Sequence, residues 1–349
     1  MSIVRELLRS NVDRLLAGHG SGANPGARAS FTPFSLVPRL SELGFLGSQD
    51  WAELCAGGEV DIDAFLLILH RIGRQDPGAA VVMAFDYATH TWQDRPSDQS
   101  HRLATLALPL LEKHTTGRTS AAADDTPQAA LQVGAAVSSA LLLSEHSHIV
   151  IPLLPAGGSL LRATLIPRHV ALSSETPPLG HGGRYNRSYP QLTEVAIGAT
   201  VTMDAGQSLS FDCSPLQMAT ILGACFAAIS IGVAEGSLKY IASVLLPSQS
   251  YSAAAESWIL QEIEERMAAC EAFLAQVRKI ASDPPAPRSL ATLSTSVERS
   301  REIVEFCAGT TSGFSSQGTT EPYDRWLFAA RLVQWQRRSL RFTELHGGV

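Results

Sequence analysis

The sequence predicts an α+β protein in three parts. These are an N-terminal helical domain over 1–118, a small antiparallel β domain over 119–210 and a C-terminal four-helix-type bundle over 211–349. Three observations predict it. Apolar residues recur at helical spacing at both ends of the chain, whereas the middle holds short alternating runs broken by Gly, Pro and Ser. At the junction, Ser214-Pro215-Leu216-Gln217 supplies an N-cap, a proline at the first helical position and a capping-box glutamine.

In the first part, Val4, Leu8 and Leu15 form one stripe of an amphipathic helix mixed with Arg5, Glu6 and Asp13. That mixture is unlike the unbroken apolar core of a signal peptide. The segments PFSLVPRLSELGFLG (33–47), DIDAFLLILHRIGR (61–74) and DPGAAVVMAFDYATHTW (76–92) follow as helices, the last opened by Asp76 as N-cap and Pro77. In the middle part, LQVGAAV, HIVIPLL, LLRATLI, QLTEVAI and ATVTM read as strands. From Ser214 a long helix is apolar almost all round, with small residues Gly223, Ala227, Ser230, Ala234 and Ser237 on one face. Such a helix belongs in the middle of a bundle. The next helix follows Ser252 and stops at DPPAP. A third is expected to open at the Thr295-x-x-Glu298 capping box and end at Cys307, before a loop over 308–322 and a last helix from Tyr323.

Composition narrows the function classes. Of the 349 residues, 45% are hydrophobic, enough for a large core, and only 17% are charged. Either subunit contacts cover much of the surface, or the Ala/Gly-rich composition simply leaves it weakly charged. A net charge of −6 without a basic cluster predicts neither nucleic-acid nor membrane-surface binding. No apolar run is expected to reach the roughly 20 residues of a membrane span. Five scattered cysteines without CxxC spacing point to a reduced, cytoplasmic compartment.

Several segments, in order, resemble the acyl-CoA dehydrogenase superfamily. They are LSELGFLG (40–47), HRIGRQDPGAAVVMAF (70–85), YPQLTEVAIGATVTM (189–203), ILGACFAAISIGVAEGSLKYI (221–241) and GTTSGF with YDRWLFAARLVQ (309–334). The resemblance covers most of the chain. It implies FAD held between a β domain and a helical bundle, an acyl thioester or other apolar substrate, and a homodimer or homotetramer. It also implies a glutamate that removes a proton α to the thioester carbonyl while hydride passes to the flavin.

The motif positions of that family are altered here. Aligned on Arg325, the final helix places Arg337 where the base is expected. The alternative base position, at the start of the first bundle helix, holds Gln217. The arginine that ends that helix in the family is replaced by the uncharged LLPSQSY (245–251). Residues left for the cofactor are Gly309 and Gly313 in the terminal loop and Ser139 within SSALLLS (138–144). Glu235 is a second candidate base, although Lys239 four residues on offers it an ordinary helical ion pair. His181, Arg184, Tyr185 and Arg187 crowd one Gly-rich loop and are candidate substrate contacts.

His146 and His148 have no third ligand nearby, so no metal is expected. GHGSG at 18–22 follows no strand and is no dinucleotide loop, and a GxSxG nucleophile is absent. Three functions stand open: an FAD-dependent oxidoreductase of acyl-CoA dehydrogenase type, a member of the fold that has lost its flavin and does non-redox chemistry on an acyl or polyketide-like substrate, and a half-site subunit that pairs with a homologous partner.

Overall fold

The computed structural model describes Ser10, residues 34–56 and 60–91, seven strand segments between 104 and 210, and residues 214–248 and 252–311. In chain order the elements are α1 (Val37–Glu42), α2 (Gln49–Ala56), α3 (Ile62–Gln75), α4 (Pro77–Thr91), β1 (Ala104–Leu106), β2 (Leu108–Pro109), β3 (Ser138–Ser139), β4 (His148–Leu153), β5 (Arg162–Pro167), β6 (Glu194–Val195), β7 (Gln207–Ser210), α5 (Pro215–Tyr240), α6 (Ala253–Ser282) and α7 (Pro287–Thr311). The chain divides into two compact units. One comprises Met1–Leu43, Val60–Ala84 and Thr220–Arg337, and the other Gly44–Glu59, Phe85–Ala219 and Arg338–Val349.

In the first unit, α3 and α5 meet backbone to backbone. A Cβ placed on Gly232 would stand 2.3 Å from the His70 carbonyl oxygen, and one on Gly236 would stand 2.5 Å from that of Arg74. Neither position has room for a methyl group. From α3, Gly73 reciprocates against the Ile229 backbone. The small face expected on α5 is not the one that makes this crossing: at 100° per residue, Gly232 and Gly236 lie on the side of the helix opposite Gly223, Ala227, Ser230, Ala234 and Ser237.

This close crossing explains the composition of α5. By length and hydropathy Leu216–Ser243 would suffice to cross a membrane, contrary to the expectation that no run is long enough. Most of that segment lies buried inside the protein, as a central helix surrounded by neighbours requires.

Asp76 fixes the entry to α4. Its Oδ1 accepts the Ala79 amide at 3.0 Å, the N-cap bond expected from Asp-Pro. The same carboxylate also accepts the amides of Phe34 and Leu36, each at 2.9 Å. The 34–36 turn is thereby tied to the helix start, and Phe34 is held at φ 65°, a costly conformation for an aromatic residue. Its ring lies where a Cβ on Gly78 would fall, 2.5 Å away, so glycine is required there.

The outer helices are joined by charge. Arg278 of α6 grips Asp63 of α3 through two bonds of 2.6 Å, and Arg266 of α6 lies 3.9 Å over the Phe306 ring of α7. Ser252 caps α6 through the Ala255 amide, and α6 stops at Asp283, as the DPPAP breaker predicts. By contrast, α7 begins at Pro287, not at Thr295. Thr295 is internal and its hydroxyl donates back to the Ala291 carbonyl, so the Thr-x-x-Glu match is not a cap. The helix also continues past Cys307 to Thr311, placing Gly309 in helical backbone where a loop was expected.

In the second unit, Gly44 and Gly47 take positive φ angles in the turn before α2, and Ser48 caps that helix through the Trp51 amide. Phe45 meets Trp51 edge-on at 5.7 Å. The strands form one sheet in the order β1-β4-β5-β7 and another in the order β2-β3-β6. β4 and β5 pair antiparallel from His148 opposite Pro167 to Leu153 opposite Arg162. β1 pairs parallel to β4, a departure from the expected all-antiparallel arrangement. The long connection between them permits it, since only tight hairpins force antiparallel pairing. β1 and β2 precede residue 118, ahead of the segment read as β.

Candidate functional site

Two buried polar clusters stand out, one in each unit. In the first, Glu235 of α5 is almost fully enclosed and accepts from three donors. His70 Nε2 approaches its Oε2 at 2.8 Å. Arg74 Nε donates to Oε2 at 2.8 Å, and Arg74 Nη2 donates to Oε1. Lys239 Nζ completes the set at 3.0 Å from Oε1. The helical spacing of α3 places His70 and Arg74 one turn apart on the face that meets α5.

Burial pushes the Glu235 carboxyl upward, but the bonds from His70, Arg74 and Lys239 outweigh it and hold its pKa down at about 2. Burial lowers the pKa of His70, opposed by its bond to Glu235, so the ring stays neutral and donates its Nε2 proton. A carboxylate with both oxygens taken and so low a pKa is a poor proton acceptor at neutral pH. The expected Lys239 pair is present, and His70 and Arg74, which sequence spacing within one helix could not reveal, are the dominant partners.

The second cluster is on α4. Asp86 and His90 sit one turn apart, 1% and 4% exposed. His90 Nε2 lies 3.4 Å from Asp86 Oδ1. Neither carboxylate oxygen nor this nitrogen has a hydrogen-bond partner among the described residues. Cys55 of α2 feels the Asp86 charge, and burial together with that charge pushes its thiol far above the usual range. The Asp-x-x-x-His spacing inside an apolar helix was the available sequence signal.

The remaining candidates separate as follows. Gly309 lies in α7, and among the described residues no heavy atom beyond its chain neighbours and its own helix backbone stands within 4 Å of where its Cβ would be. Ser139 lies in β3, paired with Leu108 and Glu194. Arg337, Gly313, His181, Arg184, Tyr185 and Arg187 fall outside the described residues. α5 passes at Ile241–Leu245 into a wider π turn and then a 3₁₀ turn over Leu246–Ser248, without a cation. Among the described residues no three His, Cys, Asp or Glu side chains converge as a metal site.

No protein-family model matches the sequence, and neither does any curated protein. Solved structures do match, with the acyl-CoA dehydrogenase fold. Butyryl-CoA dehydrogenase from Megasphaera elsdenii is similar over 96% of this chain and 94% of its own, with TM-score 0.58 and 11% identity. The ChsE4-ChsE5 complex from Mycobacterium tuberculosis is similar over 100% and 97%, with TM-score 0.60 and 13% identity. KijD3 in complex with FMN and a dTDP-linked amino sugar is similar over 96% and 92%, with TM-score 0.51 and 15% identity. The chain therefore has the fold of acyl-CoA dehydrogenases and related flavin enzymes.

Proposed function

We propose that the protein is a flavin-dependent oxidoreductase acting on an acyl or other apolar small molecule. The observation that carries this reading is the extent of the structural likeness, which spans nearly the whole of the dehydrogenase and of a protein crystallised with FMN. FAD is the flavin the family resemblance favours. When bound, it would supply the acceptor for hydride or electrons, and the protein would supply position and a water-poor setting.

Glu235 is not the base of this reading, because His70, Arg74 and Lys239 occupy it. Proton abstraction, where the reaction needs it, falls to another group, and Arg337 stands at the aligned position without being suited to it at neutral pH. The test is direct. The purified protein is expected to be yellow, to bleach on reduction with dithionite, and to release a flavin on denaturation. A colourless protein that takes up neither FAD nor FMN in a fluorescence titration overturns the flavin reading and leaves non-redox chemistry on an acyl or polyketide-like substrate.

Likeness to the two-component ChsE4-ChsE5 complex favours a second reading, a subunit completed by a homologous partner. Trp258, 58% exposed on α6, fits a covered surface in either a homo-oligomer or such a pair. Size-exclusion chromatography of the protein alone, and after co-expression with a homologue, separates the two.

A further inference from the structure

We propose, resting on the reading of the chain as an enzyme for an apolar substrate, that Asp86 and His90 form a buried binding element for a hydroxyl group carried on that substrate. Both side chains are enclosed, and three of their polar atoms have no hydrogen-bond partner among the described residues. A buried carboxylate in that state is costly, and a native structure that keeps one calls for an explanation. Local donors do not supply it. The hydroxyls of Thr89 and Thr91 donate back to the Phe85 and Tyr87 carbonyls, each at 2.8 Å. Cys55 offers only a weak S–H donor.

The geometry fits one chemistry. Asp86 Oδ1 and His90 Nε2 are 3.4 Å apart without hydrogen-bond geometry between them. A single hydroxyl can donate to the carboxylate and accept from the imidazole N–H at once. A ketone or thioester carbonyl cannot, because it has no proton for Asp86.

The experiment titrates phenol and toluene, close in shape and differing in the hydroxyl, into the purified full chain by calorimetry. Phenol is expected to bind about tenfold tighter or more, and Asp86→Leu to abolish that preference. Without a probe, Asp86→Leu is expected to raise Tm by a few degrees, because buried polar atoms without hydrogen-bond partners are removed. Asp86→Asn, which keeps the shape, is expected to weaken the preference and serves if the leucine variant fails to fold. Equal binding of both probes, binding of neither, or a lowered Tm in both variants overturns the assignment and leaves Asp86 a structural residue. The flavin absorbance of the same samples is read separately, so a colourless protein that prefers phenol counts against the flavin reading alone.

Discussion

Arg74 of α3 reaches across to α5 and holds both carboxylate oxygens of Glu235. The two residues are far apart in sequence, and Glu235 has almost no contact with solvent. The pair converts what would be an unpaired charge in the core into a clamp between two central helices.

Glu235→Gln is expected to destabilise the protein by about 2–4 kcal/mol, at the lower side for a buried pair because Arg74 is partly exposed. Urea denaturation reads the loss. The double variant Arg74→Met with Glu235→Leu is expected to recover much of it, since it leaves no charge stranded. Equal losses in the single and double variants would refute the clamp.

The same cluster sets a pH dependence. The Glu235 pKa is depressed to about 2 in the fold, so its contribution is complete above the ordinary carboxylate range and lost as pH falls toward 2. The His70 pKa is lowered, so the unfolded chain takes the proton first and stability also declines as pH falls below about 6.5. Tm is therefore expected to drop from pH 7 to pH 4. His70→Gln should flatten the upper part of that fall and Glu235→Gln the lower part.

Glycine substitutions give opposite signs. Gly232→Ala and Gly236→Ala drive a methyl group into the α3 backbone and are expected to cost about 1–3 kcal/mol or more, despite the helix propensity gained. Gly309→Ala, helical with open space beside it, is expected to stabilise by about 0.5–1 kcal/mol. Thermal unfolding of the three variants checks the contrast.

Asp76→Ala removes the α4 cap and leaves the Phe34 and Leu36 amides without their acceptor. The expected loss is about 2–4 kcal/mol. Proteolysis is expected to cut the variant ahead of α1 faster than the parent, as the 34–36 turn is released.

Burial keeps the thiols protonated, with Cys270 and Cys307 pushed up to about 12 and Cys55 and Cys225 higher still. These four are expected to resist a thiol reagent in the native protein and to react once it is unfolded. Mass spectrometry of the labelled peptides reads the difference.

Helices and caps were legible because their determinants are local. Ser214, Ser252 and Asp76 each cap the helix that the sequence assigns to them. Thr295 misled because a Thr-x-x-Glu pattern inside a helix looks the same as one at its start, and Pro287 had already opened α7. The site was less legible because its partners are distant. Lys239 beside Glu235 is visible along one helix, but His70 and Arg74 arrive from another whose position depends on Gly73, Gly232 and Gly236. Asp86 and His90 are illegible in the sequence for a related reason: two polar residues in an apolar helix acquire meaning only when their surroundings leave them unsatisfied.

The glycine crossing of α3 and α5 has one more consequence. Its spacing is set by peptide groups in mutual contact, so it owes nothing to any bound molecule. A scaffold braced in this way can change its guest in the course of evolution, or lose it altogether, and still fold to the same shape.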